Sequence, residues 1–224
     1  MKVTSILRTI YLSPIGLLLS AVMSLYALLH KPFMAYGYFN RPKRKFNKLT
    51  RISSTAVIID KKNLDLEDNT WIWHYSILDA SNGLRIAKGC QIGAWVGIFT
   101  HGSHIAIRLL GEQYTNIDKS QRIGYQKGPV EINEYTFIGA KSIILPDVTI
   151  GKGCIVAAGS VVSRSIPDYS IVSGNPAEII GDTRTLDKKY FKHDIVQNHY
   201  YDKDVLTQYR KEQDEKIARK DQAP

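Results

Sequence analysis

The sequence predicts an all-β domain built as a three-sided parallel β-helix, and three observations support this fold class. An aliphatic side chain recurs every six positions at Ile132, Ile138, Ile144, Ile150, Val156 and Val162. The same frame occurs upstream at Leu66, Ile72 and Leu78 and, after a two-residue shift, at Ile86, Ile92 and Ile98. A period of six fits neither an α-helix nor a half-buried strand. Instead, each hexad can form a short strand and a turn, and three hexads close one coil.

Composition indicates a folded protein, because 44% of the 224 residues are hydrophobic and 23% are charged. The net charge of +9 is not spread along the chain. Residues 1–51 contain nine Lys and Arg and no Asp or Glu, which leaves 21 basic and 21 acidic residues from position 52 onward. A basic excess beside an apolar segment favours contact with anionic lipid over binding of nucleic acid.

Cys90 and Cys154 are the only cysteines, too few for a zinc motif or a disulfide framework. Both fall on the fifth position of a hexad, with the coil of Ile132 between them. We therefore expect both to be buried and reduced, about two coil heights apart, which is too far for a disulfide.

The N-terminal segment predicts a membrane anchor. Residues 10–29 are apolar or small, and about 20 such residues can cross a bilayer. Most of the basic residues follow the segment, which places the next domain on the cytoplasmic face of the membrane. Pro14 is expected to bend the helix, so a shallow re-entrant anchor and a single span both stay open, as do a buried core helix and a cleaved signal peptide.

The C-terminal part of the repeat carries recognisable motifs. They are Ile138-Gly139-Ala140, Leu145-Pro146-Asp147-Val148-Thr149-Ile150-Gly151, Ala158-Gly159-Ser160-Val161-Val162 and Gly174-Asn175-Pro176-Ala177. With them the sequence resembles the hexapeptide-repeat acyltransferases, in particular galactoside and maltose acetyltransferases and polysaccharide O-acetyltransferases. The resemblance implies a left-handed parallel β-helix, acetyl-CoA as acyl donor with no metal requirement, a sugar or glycan acceptor, and a homotrimer.

The hexad frame is interrupted once, between Ile98 and Ile132, where 28 extra residues leave the coil. Long insertions in compact domains are usually functional, and we expect an ordered arm over residues 101–131. The predicted organisation is an anchor with its basic flank at 1–51, the β-helix at 52–181, and a partly helical C-terminal extension at 182–224.

A general base is expected where the arm leaves the coil. Imidazole suits the removal of a hydroxyl proton near neutral pH. By resemblance, the catalytic histidine of the family lies where the loop leaves the coil, in a Gly-Ser-His or Gly-x-His pattern after a β-strand. This pattern corresponds to His104, and His101 is the second choice. A local structural role for either histidine is the alternative.

The resemblance also implies a donor site. It assigns the amide of Ala140, after Gly139, to the oxyanion, and Ala158, Ser163 and Arg164 to the acyl-CoA. A guanidinium at position 164 can pair with phosphate, although a solvated surface arginine is the alternative.

For the acceptor, Asp79 matches an acidic residue near the sugar in related enzymes, and Tyr114 of the arm is a second candidate. Transfer to a hydroxyl is the first expectation, and N-acetylation of an amino sugar is its rival.

Two other functions have to be weighed. A γ-type carbonic anhydrase would need His74, His101 and His104 on one zinc ion, and their spacing disfavours it. A catalytically silent scaffold stays open. The outward aromatics Trp71, Trp73 and Trp95 are expected to line a subunit interface before a sugar site.

Overall fold

The structure is a computed structural model that describes residues 9, 12–29 and 31–221. The chain divides into two compact units, Met1–Phe33 and Met34–Pro224.

In the first unit, an apolar helix extends over Pro14–Leu29. Pro14 is its first residue, where the missing N–H costs nothing, so proline begins this helix and does not bend it. The hydroxyl of Ser13 accepts a hydrogen bond from the backbone of Gly16 at 3.1 Å and caps the helix. Within the described residues, no helix combines the length and the apolar character needed to cross a membrane. Residues 10 and 11 of the predicted segment lie outside the described residues.

The second unit is a parallel β-helix with three faces, as the hexad period predicts. The first face contains the strands Lys45–Ser53, Trp71–Ile72, Gln91–Ile92, Phe137–Ile138, Ile155–Val156 and Ser170–Gly174. The second face contains Val57–Ile59, Ile77–Asp79, Gly97–Ile98, Ile143–Ile144 and Val161–Val162. The third face contains Leu64–Leu66, Leu84–Ile86, Val130–Ile132 and Thr149–Ile150. Its left hand stays a prediction of the resemblance.

The register of the strands confirms the hexad frame. Leu66 pairs with Ile86, and Ile86 pairs with Ile132, so the third face continues across the long insertion. Ile132 then pairs with Ile150. These side chains are buried, and the equivalent positions of the other two faces complete one apolar column. Removing this column from water is the main favourable term for the domain.

Small hydroxyl residues at the fifth hexad position tie the coils together. The Thr136 hydroxyl donates to the carbonyl of Gly151 at 2.8 Å, and the Ser142 hydroxyl donates to the carbonyl of Ala157 at 3.0 Å. Both side chains are buried. A buried hydroxyl needs such a partner, because leaving it unpaired costs free energy.

The basic flank differs from the expectation. Residues 34–53, most of which we assigned to the anchor, form a β-hairpin of strands Met34–Asn40 and Lys45–Ser53. The second strand pairs in parallel with Trp71–Ile72 and so begins the first face of the β-helix. The compact β-helical unit therefore starts at Met34 instead of residue 52.

The insertion is an ordered arm, as the sequence predicts. Its two ends meet in a short antiparallel pair, His101–Gly102 with Gln126–Lys127. Between them lie the helix Ala106–Leu110 and two 3-10 segments, Gly111–Thr115 and Lys119–Gln121. Because the arm closes on itself, the coil resumes in register at Val130–Ile132.

The last coil is followed by a hairpin and a helical extension. Strand Ala177–Asp182 pairs antiparallel with Ser170–Gly174. The helices Thr183–Asp187, Asp194–His199 and Lys203–Asp221 then complete the partly helical tail that the sequence predicts. Asp202, which is nearly buried, accepts hydrogen bonds from Lys152 at 2.8 Å and from Tyr169 at 2.5 Å, and these bonds fix the extension to the β-helix.

Both cysteines are free and fully buried, as predicted, so their thiols should react slowly with alkylating reagents. Burial raises the pKa of Cys90 to about 12 and that of Cys154 to about 11, and the thiolate is the reactive form. At pH 8 we expect labelling of the native chain at least about 100-fold slower than labelling of the chain unfolded in urea. Mass spectrometry of the alkylated protein measures both rates, and rapid native labelling of either cysteine would refute the coil register.

Candidate active site

The turns between faces define two edges of the β-helix that matter for function. The first edge contains the turns from the first face to the second, such as residues 139–142 and 157–160. The second edge contains the turns from the second face to the third, such as residues 99–100, 145–148 and 163–165. The arm leaves the coil at the second edge.

At the second edge, a buried carboxylate holds one of the two candidate histidines. Asp79 ends the strand Ile77–Asp79 and is 0% exposed. Nδ1 of His101 lies 2.7 Å from Oδ2 of Asp79. A carboxylate only accepts hydrogen bonds, so the imidazole donates from Nδ1 and leaves the lone pair of Nε2 available.

The charge of Asp79 is stabilised locally. Burial alone would raise the pKa of Asp79. Hydrogen bonds from the hydroxyl and backbone N–H of Ser81, and from the backbone and hydroxyl of Thr100, outweigh that effect and hold this pKa well below its ordinary value. Asp79 is therefore ionised at neutral pH and can stabilise an imidazolium at His101.

His101 borders a cleft of about 770 Å³ between the arm and the second edge. The side chain of His101 is 36% exposed, so one side of the ring is accessible. Tyr125 of the arm stacks on that ring, with centroids 5.7 Å apart and an interplanar angle of 17°. The cleft is lined by Phe99, His101, Gly102, His104, Tyr125, Gln126, Lys127, Leu145, Pro146, Asp147 and Ser163. A volume of this size is typical of small-molecule sites.

The two candidate histidines differ in their surroundings. His104 also borders the cleft, but it is exposed and no described side chain holds it through a hydrogen bond. His101 alone has a carboxylate that fixes its tautomer and orientation. A base that is held in this way loses less entropy in reaction than a free one.

The predicted donor residues lie at both edges. Ser163 lines the cleft with His101 at the second edge. Gly139, Ala140 and Ala158 lie at the first edge and do not line this cleft. Two coils approach each other closely at this edge. A Cβ atom at position 139 would therefore clash with the backbone nitrogen of Ala158, and Gly139 avoids this clash.

Arg164 follows Ser163 but is exposed and pairs with Glu178 at 2.8 Å. An exposed ion pair of this kind contributes little to stability.

Neither predicted acceptor residue contacts the cleft. Asp79 cannot bind an acceptor, because it is fully buried and both carboxylate oxygens are used by Ser81, Thr100 and His101. The guanidinium of Arg122 lies over the ring of Tyr114, 4.2 Å from its centroid, and Tyr114 does not line the cleft.

The first edge is aromatic and exposed. Trp73 is half-exposed, and Trp95 stacks on Tyr75 with ring centroids 4.5 Å apart. Trp71 instead lies under the guanidinium of Arg51, 4.0 Å from the ring centroid. Large rings in water on one edge are typical of an interaction surface.

The three histidines of the zinc alternative are not brought together. His74 lies at the first edge, where its Nδ1 is 2.6 Å from the hydroxyl of Ser53. His101 and His104 are at the second edge. In the part of the chain that the structure describes, no group of three His, Cys, Asp or Glu side chains is arranged to hold a metal ion.

Sequence reasoning missed Tyr125 and the bond between His101 and Asp79. The second of these had a signal, because coils in this part of the chain repeat every 20 residues. That spacing places Asp79 beside Phe99, two residues before His101. Tyr125 had no such signal, since it lies in the arm outside the repeat.

Comparison with known proteins agrees with this fold. The family described as bacterial transferase hexapeptide (six repeats) matches residues 129–164. The resemblance to hexapeptide-repeat acyltransferases is confirmed.

Two curated relatives cover different shares of the chain. Serine acetyltransferase 2 of Arabidopsis thaliana is 29% identical over 167 residues, 74% of this chain and 47% of the relative. A Saccharomyces cerevisiae protein, whose name records acetyltransferase only as a provisional assignment, is 33% identical over 120 residues, 53% of this chain and 55% of the relative. The chain thus spans about half the length of these two relatives.

Among solved structures, a hexapeptide-repeat acetyltransferase from Vibrio cholerae, complexed with acetyl coenzyme A, is 25% identical with a TM-score of 0.47. The match covers 57% of this chain and 64% of that one. A maltose O-acetyltransferase from Clostridium difficile is 24% identical with a TM-score of 0.46, covering 58% and 64%.

Replacing Asp79 by Asn should destabilise the domain in a pH-dependent way. Its pKa in the folded chain is lower than in the unfolded chain, so the contribution of Asp79 is present above the unfolded pKa of about 4 and is lost as the pH falls below it. We expect a loss of about 2–4 kcal/mol in the free energy of unfolding at pH 7, shrinking as the medium is acidified below about pH 4.

Urea unfolding of wild type and variant across this pH range measures the effect. The matched control is Asp60→Asn, since Asp60 is exposed, and it should change the free energy by less than about 0.5 kcal/mol. A loss at Asp79 that is the same at every pH would contradict the ionised, hydrogen-bonded state.

Proposed function

We propose that the chain is an acetyl-CoA-dependent acetyltransferase that acts on a hydroxyl of a sugar or a lipid-linked glycan, with His101 as general base. The observation that carries the proposal is the hydrogen bond from His101 to the buried, ionised Asp79 at the border of the cleft. The relatives named as acetyltransferases support the reaction class.

The chemistry follows from the tautomer. Nε2 of His101 takes the proton of the acceptor hydroxyl while the hydroxyl oxygen attacks the thioester carbonyl carbon. When the C–S bond breaks, the imidazolium returns the proton to the leaving thiolate, so the products are an acetyl ester and the free thiol of CoA. Asp79 stabilises the imidazolium that exists between these steps, which is the role of a positioning residue.

The donor residues support a site shared between chains. An oxyanion needs backbone donors near the reacting carbonyl, and the amide of Ala140 at the first edge is our candidate. His101 belongs to the second edge of the same chain, separated from Ala140 by the second face. A homotrimer, in which the first edge of one copy faces the second edge of the next, would complete the site and cover Trp73 and Trp95.

An amino group is the competing acceptor. The same base and donor would serve an amine, and no contact of the described residues distinguishes the two. Chemistry of the product does, because mild alkali removes an ester and leaves an amide intact.

We place the protein at the cytoplasmic face of the cell membrane, in contact with lipid through its N-terminal segment. The basic excess of residues 1–51 supports this location. A non-crossing anchor fits the 16-residue helix Pro14–Leu29. Acetyl-CoA and the lipid-linked precursors of glycans would be available there.

Replacing His101 by Ala should lower turnover by about 100-fold or more with little change in the KM for acetyl-CoA, because the variant loses a base that acts only during transfer. Release of CoA thiol with a panel of sugar acceptors gives both constants. Treatment of the acetylated product with mild alkali reports whether it is an ester.

The matched control is His104→Ala, a histidine of the same cleft without a carboxylate partner, and it should cost less than about tenfold. A larger loss at His104 than at His101 would return the role of base to His104. Normal turnover of both variants would exclude histidine catalysis.

Two inactive variants should restore activity when they share one trimer. His101→Ala removes the base, and Ala158→Trp blocks the first edge, where position 158 is exposed in the single chain. Coexpressed at equal levels, they form intact interfaces with a probability of about one quarter, so about a quarter of wild-type activity should return.

Each variant alone, purified in the same way, sets the background. If the two coexpressed variants fail to restore activity, although mass spectrometry detects mixed oligomers, the site belongs to a single chain.

A further inference from the structure

The hairpin Met34–Asn40 and Lys45–Ser53 has one face fixed on the first coil of the β-helix. The side-chain amides of Asn40 and Asn47 both donate to the carbonyl of Leu66, at 2.9 and 2.6 Å. The Asn40 amide also donates to Asp65 at 2.7 Å. Both asparagines are buried, so this face satisfies backbone groups that the first coil would otherwise leave unpaired.

The opposite face of the hairpin presents aromatic rings to solvent. Phe39 and Phe46 are directly opposite each other in the antiparallel register, so they project from the same face. They are 54% and 56% exposed, although the ring of Phe46 covers the backbone of Gly37. Leu49, in the irregular part of the second strand, is 61% exposed.

The same hairpin is strongly cationic. It contains six Lys and Arg and no acidic residue. Lys43 pairs with Asp65 and Glu67, and Arg51 lies between the rings of Tyr36 and Trp71. Four cations are exposed and form no salt bridge with the described residues: Arg41, Arg44, Lys45 and Lys48.

We propose that this hairpin docks the β-helix on an anionic lipid surface, with Phe39, Phe46 and Leu49 at the level of the headgroups and the four cations against their phosphates. Aromatic rings and Lys or Arg side chains together are the composition that binds a membrane interface. Charge complementarity favours an anionic bilayer, because the rest of the chain from residue 52 is neutral and offers a second copy no acidic excess.

The position of the hairpin in the sequence also favours a lipid bilayer as the surface that it contacts. The inference extends the membrane association proposed above, in which the helix Pro14–Leu29 contacts lipid. Only four residues of the sequence separate that helix from Met34, so a helix held at a bilayer would tether the hairpin to the same bilayer. Because the hairpin is bonded to the first coil, docking would also orient the β-helix toward the membrane.

A fluorescent probe on the hairpin tests the contact in the full chain. Leu49→Cys, labelled with an environment-sensitive dye while Cys90 and Cys154 remain buried, is mixed with phosphatidylcholine vesicles with or without about 30% phosphatidylserine. We expect a blue shift of emission only with the anionic vesicles. The control probe is at Ile195→Cys, an apolar position that is 72% exposed on the C-terminal extension, and its emission should not shift.

Charge reversal gives a second measurement. Lys45→Glu with Lys48→Glu should weaken binding to anionic vesicles about tenfold or more. Lys189→Glu with Lys192→Glu changes the net charge equally at exposed positions of the extension and should alter binding less than about twofold.

The possible outcomes distinguish docking of the hairpin from membrane association through the anchor alone. Chains that sediment with vesicles while the Leu49 probe still reports water would overturn hairpin docking and leave the anchor standing. Chains that do not sediment with anionic vesicles would overturn both. A blue shift that grows with protein concentration without vesicles would assign the face to a second copy and also overturn the proposal.

Discussion

Parallel stacking of the coils in register constrains every other part of this structure. Each strand of two or three residues is too short to be stable by itself, and it exists because its N–H and C=O groups pair with the coils above and below. The aliphatic column requires the same face of each coil to lie over the last. An insertion is therefore tolerated only at a turn and only if its ends return to the same place. The arm meets this condition through the short pair of His101–Gly102 with Gln126–Lys127.

The candidate active site depends on this stacking of the coils in register. Asp79 ends a strand of one coil, and Thr100 follows a strand of the next, so stacking brings the Thr100 amide and hydroxyl to the Asp79 carboxylate. A charge in such a dry location would be costly without these donors. The stabilised carboxylate of Asp79 can hydrogen-bond only to groups on the same edge. His101, the first residue of the arm, is such a group. The framework that makes the core thus also fixes the direction of the imidazole.

The predictions from the sequence were correct where the hexad repeat continues. The column from Ile132 to Val162, both buried cysteines and the position of the arm follow from hexad spacing, and the structure confirms them. The predictions were less complete where the chain departs from the hexad repeat. The hairpin from Met34 was assigned to the anchor, because its cations resemble a membrane flank and only its last residues, such as Ile52 opposite Ile72, follow the 20-residue spacing of the coils. The bond from His101 to Asp79 joins two successive coils, and motif spacing within the arm does not reveal it.

The ends of the β-helix show why additions outside the repeat are needed. A stack of coils leaves unpaired backbone groups at both ends, and such edges invite further strands. At the first coil, Asn40 and Asn47 occupy the Leu66 carbonyl, so another coil cannot be added there. At the last coil, strand Ala177–Asp182 runs antiparallel and breaks the parallel order, and the bonds from Lys152 and Tyr169 to Asp202 hold the extension in place. The homotrimer proposed above would then form along the edges of the prism, with the exposed aromatic first edge as its candidate contact.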